Sequence, residues 1–339
     1  MTALQTAWFF LIGILLTGYA VLDGFDLGVG FWHLFTKKDE DRRILLGAIG
    51  PVWDGNEVWL VTGGGAIFAA FPPVYASVFS GFYLAMMLVL FALMFRAVSI
   101  EVRSKEESRA WRRSWDIAFS AGSVIAALLF GVAMGNLLRG IPLDANGNYA
   151  GTFLGLLSPY ALLIGLTGLA MFATHGAVFI MLKTGDELQA RAGRWAQASW
   201  IAFLALVLVS APATYFAAPQ RFANFSSHPA LWLVPAAALT AIVATGVFIR
   251  KRDGVRAFAA SAFSIAGLMG IFAASVFPAL VPGSGDSAVS LTIMNASSSQ
   301  RTLTIMLVMA LIGMPVVIGY TLWIYRIFRG KVKIEDLHY

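Results

Sequence analysis

Of the 339 residues, 59% are hydrophobic and only 12% charged, against roughly 25% charged in an ordinary soluble domain, and mean hydropathy is +0.77. That composition defines an integral membrane protein, and it gives nucleic-acid binding no support even though 24 Lys and Arg outnumber 18 Asp and Glu. The lack of cysteine excludes a disulfide framework, thiolate metal sites, iron–sulfur clusters and haem attached through a Cys pair.

The first apolar run, residues 8 to 32, follows no basic residue and precedes no small-residue cleavage site, so it reads as a retained membrane helix and not a signal peptide. Near its end, GYAVLDGFDLGVG (18 to 30) places Asp23 and Asp26 three apart, and therefore on one helix face. At 1.5 Å per residue they lie about 12 and 8 Å inside the end of the helix. The second run, 44 to 70, opens with GAIGPVWDGNEVW (47 to 59), in which Asp54 and Glu57 are again three apart, with Trp53 and Asn56 beside them. Asp54 is predicted about 15 Å into that span, and Pro51 is expected to kink the helix and free a carbonyl next to it. The third run, 75 to 97, leads into FRAVSIEVRSK (95 to 105), with Arg96 at the interface and Glu101 beyond it. Six more runs of bilayer-spanning length follow at 115 to 138, 155 to 182, 195 to 217, 230 to 249, 257 to 280 and 302 to 326. The last is preceded by NASSSQRTL (295 to 303), which reads as a capped helix start. The reading is an all-α membrane protein of about nine spans, with 1–339 as a single polytopic domain, because no linker or short-period repeat divides it.

Basic residues sort the loops into two sets. Lys37, Lys38, Arg42 and Arg43 follow the first span, and Arg103, Lys105, Arg109, Arg112 and Arg113 follow the third. Lys183, Arg191 and Arg194 follow the fifth, Arg250, Lys251, Arg252 and Arg256 the seventh, and Arg326, Arg329, Lys331 and Lys333 the last. The alternate loops hold little beyond Arg139, Arg221 and Arg301. Positive-inside counting places the N-terminus outside and the C-terminus in the cytoplasm.

A carboxylate at a helix centre costs about 3 kcal/mol even on the lenient insertion scale, so each one is a functional hypothesis needing a partner. Glu101, Arg96, Asp26, Asp23 and Asp54 form a ladder at graded depths on the cytoplasmic side, suited to proton uptake, with Trp53, Asn56 and Glu57 in support. The plainer alternative is a structural pair in which Arg96 neutralises Asp26 or Asp54, but one arginine cannot balance four acids. The glycines of DGFDLGVG and TGGGAIF lack the strand and Lys-Ser/Thr context of nucleotide loops and read as helix-packing positions. Only four histidines occur, His33, His175, His228 and His338. A single His can ligate haem, yet His175, alone within a span, reads as hydrogen-bonded to a neighbour. Trp8, Trp32, Trp53, Trp59 and Trp232 read as interfacial or lipid-facing. No catalytic residue and no metal ligand set is expected within the chain.

The stretches GYAVLDGFDLGVGFW, GPVWDGNEVWLVTGGGAIFAAFPPVYASVFSGFY, FRAVSIEVRSK, WDIAFSAGSVIAALLFGVAMGNLLRG and ASSSQRTLTIM together resemble subunit II of the cytochrome bd family of quinol oxidases, over nearly the whole chain. The resemblance implies a complex of the bacterial cytoplasmic (inner) membrane that oxidises quinol and reduces dioxygen to water with cytoplasmic protons. It implies two haems b and one haem d in the larger subunit I, none in this chain, a structural quinone in some members, and small accessory subunits. It also implies two four-helix bundles, here 1–138 and 155–280, plus a peripheral helix, 302–326. The family's proposed proton channel maps onto Asp26, Asp54, Arg96 and Glu101, with Asp23 adjacent. Glu101 stands where some relatives carry Asp, and His175 where at least one carries a neutral polar residue. Two other readings of the residues stay open here: a proton-coupled secondary transporter, although paired broken helices are not evident, and a purely structural subunit.

Overall fold

The computed structural model describes residues 1–284 and 289–332; Lys333 and His338, counted above among the tail bases and the histidines, lie outside the described residues. Helix α1 (Ala3–His33) starts from a capping box in which Thr2 and Gln5 satisfy each other's backbone N–H groups. Helix α2 (Asp39–Ile49) carries Asp39, Glu40 and Asp41 in its first turn, where the helix dipole favours acids.

The second predicted span is not continuous. Pro51 has no N–H to donate and its ring crowds the preceding turn, so the chain breaks after Ile49 and restarts as α3 (Trp53–Ala70). Two prolines at its first positions likewise open α4 (Pro72–Gly81), which a break at Phe82 separates from α5 (Tyr83–Val102). Helix α6 (Arg109–Arg139) is capped by Ser108 and ends at Gly140, whose φ of +89° suits glycine. Then come α7 (Pro159–Lys183), α8 (Asp186–Ala217), the short α9 (Ala223–Ser227), α10 (Leu233–Arg250) and α11 (Gly254–Val276). The helix expected to reach residue 280 stops at Val276, because Pro278 cannot continue it, and β1 (Ala279–Val281) pairs antiparallel with β2 (Leu291–Thr292). Helix α12 (Gln300–Ile327) is capped by Ser299, whose hydroxyl accepts from the Thr302 N–H at 3.2 Å.

Among the described residues eight helices are long and apolar enough to cross a membrane: α1, α5, α6, α7, α8, α10, α11 and α12 with their flanking turns. The expected span missing from that set, 44 to 70, corresponds to α3, 18 residues long, which Asp54, Glu57 and four glycines make too polar for it. Helix α1 is the central post, packed against α3, α6, α7 and α11, while α7 also packs on α6 and α8, and α10 on α8 and α11. Where α1 crosses α7 the backbones nearly touch, since a Cβ on Gly28 would sit 2.8 Å from the Cα of Gly176. The glycine-packing expectation fits Gly24, Gly28, Gly30 and Gly63, whereas Gly64 and Gly65 face open space.

Two tryptophans depart from the interfacial-belt expectation. Trp8 donates to the Leu303 carbonyl at 3.0 Å, and Trp32 donates to that of Ala173 at 2.8 Å while stacking on Trp195. A buried indole needs an acceptor for its N–H, and the neighbouring helix supplies it. Helix α12 is the opposite case: only 6% of its apolar window is buried within the chain, where it leans on α1 and α3.

Candidate functional site: a buried cluster of carboxylates around one arginine

Helix α1 turns Asp23 and Asp26 inward, and both are fully buried, as is Arg96 from α5. The guanidinium forks onto Asp23, with Nη2 donating to Oδ1 at 2.5 Å and Nη1 to Oδ2 at 3.1 Å. Nη1 also donates to Glu57 Oε1 at 2.8 Å, and Nη2 lies 3.8 Å from Asp26 Oδ2. Asp26 Oδ2 in turn accepts from Asn56 Nδ2 at 2.8 Å, and Asn56 Oδ1 accepts from the hydroxyl of Tyr325 at 2.9 Å. Asp26 Oδ1, Arg96 Nε and the hydroxyl of Tyr19, one turn from Asp23, are buried without a hydrogen-bond partner among the described residues.

Three carboxyl groups thus face one guanidinium, and full ionisation leaves an excess of two negative charges in a low-dielectric interior. Such an excess is costly, and a bound proton relieves it. The fork commits Arg96 chiefly to Asp23 and Glu57. Asp26 receives the weaker share of the cation and one neutral amide, so it is the carboxyl group best placed to exchange a proton.

Not every predicted residue joins this cluster. Asp54 is exposed in the first turn of α3, and Glu101 is exposed near the end of α5; among the described residues no hydrogen bond or ion pair ties either to Arg96. Helical azimuth explains both. The buried positions of α3 are Asn56, Gly63, Ala66 and Ala70, and Asp54, two residues from Asn56, lies about 200° around the helix from it. Glu101 is five residues past Arg96, roughly 140° off the inward line. Glu57 and Asn56, read from sequence only as supporting groups, contact the cluster directly, and Trp53 packs half-buried beside the core at this end.

A second ionic cluster went unread in the sequence. Asp116, buried on α6, binds His33 Nε2 at 2.5 Å, Arg103 Nε at 2.5 Å and Arg42 Nη1 at 2.6 Å, and Arg103 also binds Asp39 at 2.6 Å. In the sequence Arg42 and Arg103 read only as loop charges that set orientation. The available signal was periodicity: Asp116 shares its face with Phe119, Ser120 and Ser123, all buried. The ionic pins join the end of α1, the start of α2, the end of α5 and the start of α6.

Among the described residues, two of the three histidines are buried with protein partners and one lies in a loop. His175 has both ring nitrogens engaged: Nε2 donates to the Val21 carbonyl at 3.0 Å, and Nδ1 meets the Ser261 hydroxyl at 2.7 Å. Its ring stacks on Phe258 at 4.7 Å. His33 commits Nε2 to Asp116, and His228 is exposed in a loop. Among the described residues no group of three or more His, Cys, Asp or Glu could hold a metal ion.

Comparison with known proteins places these residues in a family context. The family described as "Cytochrome bd terminal oxidase subunit II" matches residues 4–328. The "Probable cytochrome oxidase subunit 2" of Haemophilus influenzae is 39% identical over 359 residues, covering 97% of this chain and 95% of that protein. The "Cytochrome bd-I ubiquinol oxidase subunit 2" of Escherichia coli K12 is 37% identical, covering 98% and 96%. The "Cytochrome bd ubiquinol oxidase subunit 2" of Bacillus subtilis is 38% identical, covering 99% of each chain. Among solved structures, a chain of the bd oxidase from Geobacillus thermodenitrificans superposes with a TM-score of 0.80 over 96% of this chain and 99% of that one; at 18% identity this is a likeness of fold.

Proposed function

Because the chain belongs to the cytochrome bd terminal oxidase subunit II family, we propose that it serves as the haem-free subunit of a quinol:dioxygen oxidoreductase and conducts protons to the haem-bearing partner. It is a multi-pass protein of the bacterial inner membrane and one subunit of an oxidoreductase complex, whose counterpart is subunit I. In this reading the complex draws protons from the cytoplasm to make water, building a proton motive force. The two haems b, the haem d and the quinol-oxidising site belong to subunit I, and the chain is inactive alone. The helices 1–138 and 155–280 form two four-helix bundles with 302–326 peripheral, and the basic loops face the cytoplasm.

The observation that carries the conduit reading is the buried cluster of Asp23, Asp26, Glu57 and Arg96, set at the membrane end where the basic loops gather. Arg96 anchors Asp23 and Glu57 and lowers the energy of negative charge between the helices. Asp26, oriented by Asn56, receives and releases the proton. Asp54 and Glu101, on outward faces of α3 and α5, extend the path where subunit I covers those faces. A transporter would also carry buried carboxylates, but the named relatives are oxidase subunits. The haem-free reading is supported by histidines already spent on protein partners.

The test is Asp26→Asn in the intact complex. Turnover measured as quinol-driven oxygen consumption is expected to fall about a hundredfold or more with haem content unchanged, the low end of the range removed with one proton-transferring group. Full turnover at every pH, with normal assembly, leaves the purely structural reading in its place.

A further inference from the structure

We propose that Tyr325, on α12, is a positioning residue for Asp26: its hydroxyl fixes the side-chain amide of Asn56, and the amide holds the proton-carrying carboxyl group in place. This inference rests on the conduit reading. It starts from the hydrogen-bonding inventory of one buried amide. Asn56 Nδ2 faces two acceptors, Asp26 Oδ2 at 2.8 Å and the Leu22 carbonyl at 3.1 Å. Its Oδ1 faces one donor, the Tyr325 hydroxyl at 2.9 Å. Turned by 180°, the amide would set its oxygen against a carboxylate and a carbonyl, with no hydrogen between them. The Leu22 carbonyl, which can only accept, and the Asp26 carboxylate therefore select one orientation of the amide, and the Tyr325 hydroxyl, donating to the oxygen on its far side, holds it there.

The placement of Tyr325 is itself fixed. Its ring meets Phe25 edge-on at 6.5 Å, and Phe25 stacks on Phe179 at 4.0 Å. Trp8 holds the start of α12 through the Leu303 carbonyl, and Lys183 holds its end through the Phe328 carbonyl. Between these ends Leu303 is the one fully buried residue of the helix, with Met306, Leu307, Ala310 and Met314 half-buried against the core. Among the described residues, Tyr325 is the one side chain of α12 with a hydrogen bond into the cluster. The helix that looks peripheral by packing thus reaches the carboxylates by a single hydroxyl.

The experiment uses the purified complex and the variants Tyr325→Phe, Asn56→Leu, the two combined, Asp26→Asn as gauge of the conduit, and Tyr320→Phe as control on the exposed side of the same helix. Tyr325→Phe keeps the ring contacts and removes the donor. Turnover is expected to drop about two- to tenfold, the range of one hydrogen bond, with haem content unchanged. In Asn56→Leu the added Tyr325→Phe change is expected to lose nothing further, because the two act through one chain. In the redox-difference infrared spectrum, Tyr325→Phe is expected to move the carboxyl band that Asp26→Asn abolishes, and Tyr320→Phe to leave it alone. Independent, multiplying losses in the double variant, or wild-type turnover with an unmoved band in Tyr325→Phe, overturn the assignment. Impaired Asp26→Asn beside normal Tyr325→Phe removes only the role of Tyr325, whereas normal Asp26→Asn removes the conduit and this inference with it. Should Tyr325→Phe fail to assemble, 3,5-difluorotyrosine at position 325 keeps ring and hydroxyl and strengthens the donor; an unmoved band then refutes the proposal.

Discussion

Replacement of Arg96 by leucine isolates what the guanidinium contributes. At the 3.8 Å separating it from Asp26, a unit-charge attraction is worth about 4 kcal/mol gross at an effective dielectric constant near 20. The forked contacts to Asp23 and the contact to Glu57, at 2.5, 3.1 and 2.8 Å, are closer still. Desolvation offsets much of this, and removing one partner of a buried pair has a net cost of about 3–5 kcal/mol. With three acids left facing one another, Arg96→Leu belongs at the upper end of that range. By the size scaling of thermal unfolding this is a downward shift of roughly 5–10 °C in the midpoint of the purified complex, read from loss of the haem spectrum on heating. Removing Asp23 as well, in Arg96→Leu/Asp23→Leu, takes away both sides of the fork, and apolar replacement of a whole buried pair is far better tolerated than half of it. The double variant is therefore expected to recover about 2 kcal/mol or more over Arg96→Leu. A single variant as stable as wild type, or a double variant less stable than the single, refutes the reasoning.

Three further outcomes follow from the geometry. Asp116→Asn leaves Arg103 and Arg42 without their shared acid, so the complex is expected to lose about 3–5 kcal/mol, seen as earlier proteolysis of the loops after α1 and α5. Gly176→Ala adds a methyl group at 2.5 Å from the backbone of Gly28 and Val29, where no side chain can yield; forcing α1 from α7 is expected to cost about 3 kcal/mol or more, measured as lost assembly of the complex. Asp144, in the loop after α6, accepts from the backbone N–H groups of Asn146 and Asn148 at 2.8 Å each, and these bonds hold its carboxyl group below the usual carboxylate range. Its contribution to loop order is present above the ordinary Asp pKa of about 3.9 and fades as pH falls through the lower folded value. Protection of the Asn146 and Asn148 amides, taken relative to the intrinsic exchange rate at each pH, should fall only in that acidic window, and Asp144→Ala should abolish that change in protection.

Composition and apolar run length settle the class of molecule before any contact is known, because a chain this hydrophobic must satisfy its backbone internally and does so as helices. Local rules go further: Pro51 marks a kink, which the structure widens to a break, NASSSQRTL a capped helix start, and the three-residue spacing of Asp23 and Asp26 a shared face. Spacing fixes azimuth within a helix, however, and not which azimuth turns inward. That choice falls to packing, and the packing of α1 against α3, α6 and α7 chose Glu57 over Asp54 as the partner of Arg96. It also brought Asp116 to His33 across 83 residues and Tyr325 to Asn56 across 269. Periodicity can mark Asp116 as inward-facing on its own helix, but contacts of that sequence separation leave no trace of which residues pair. Only the folded arrangement makes one amide, one hydroxyl and one guanidinium into the surroundings of a single carboxylate.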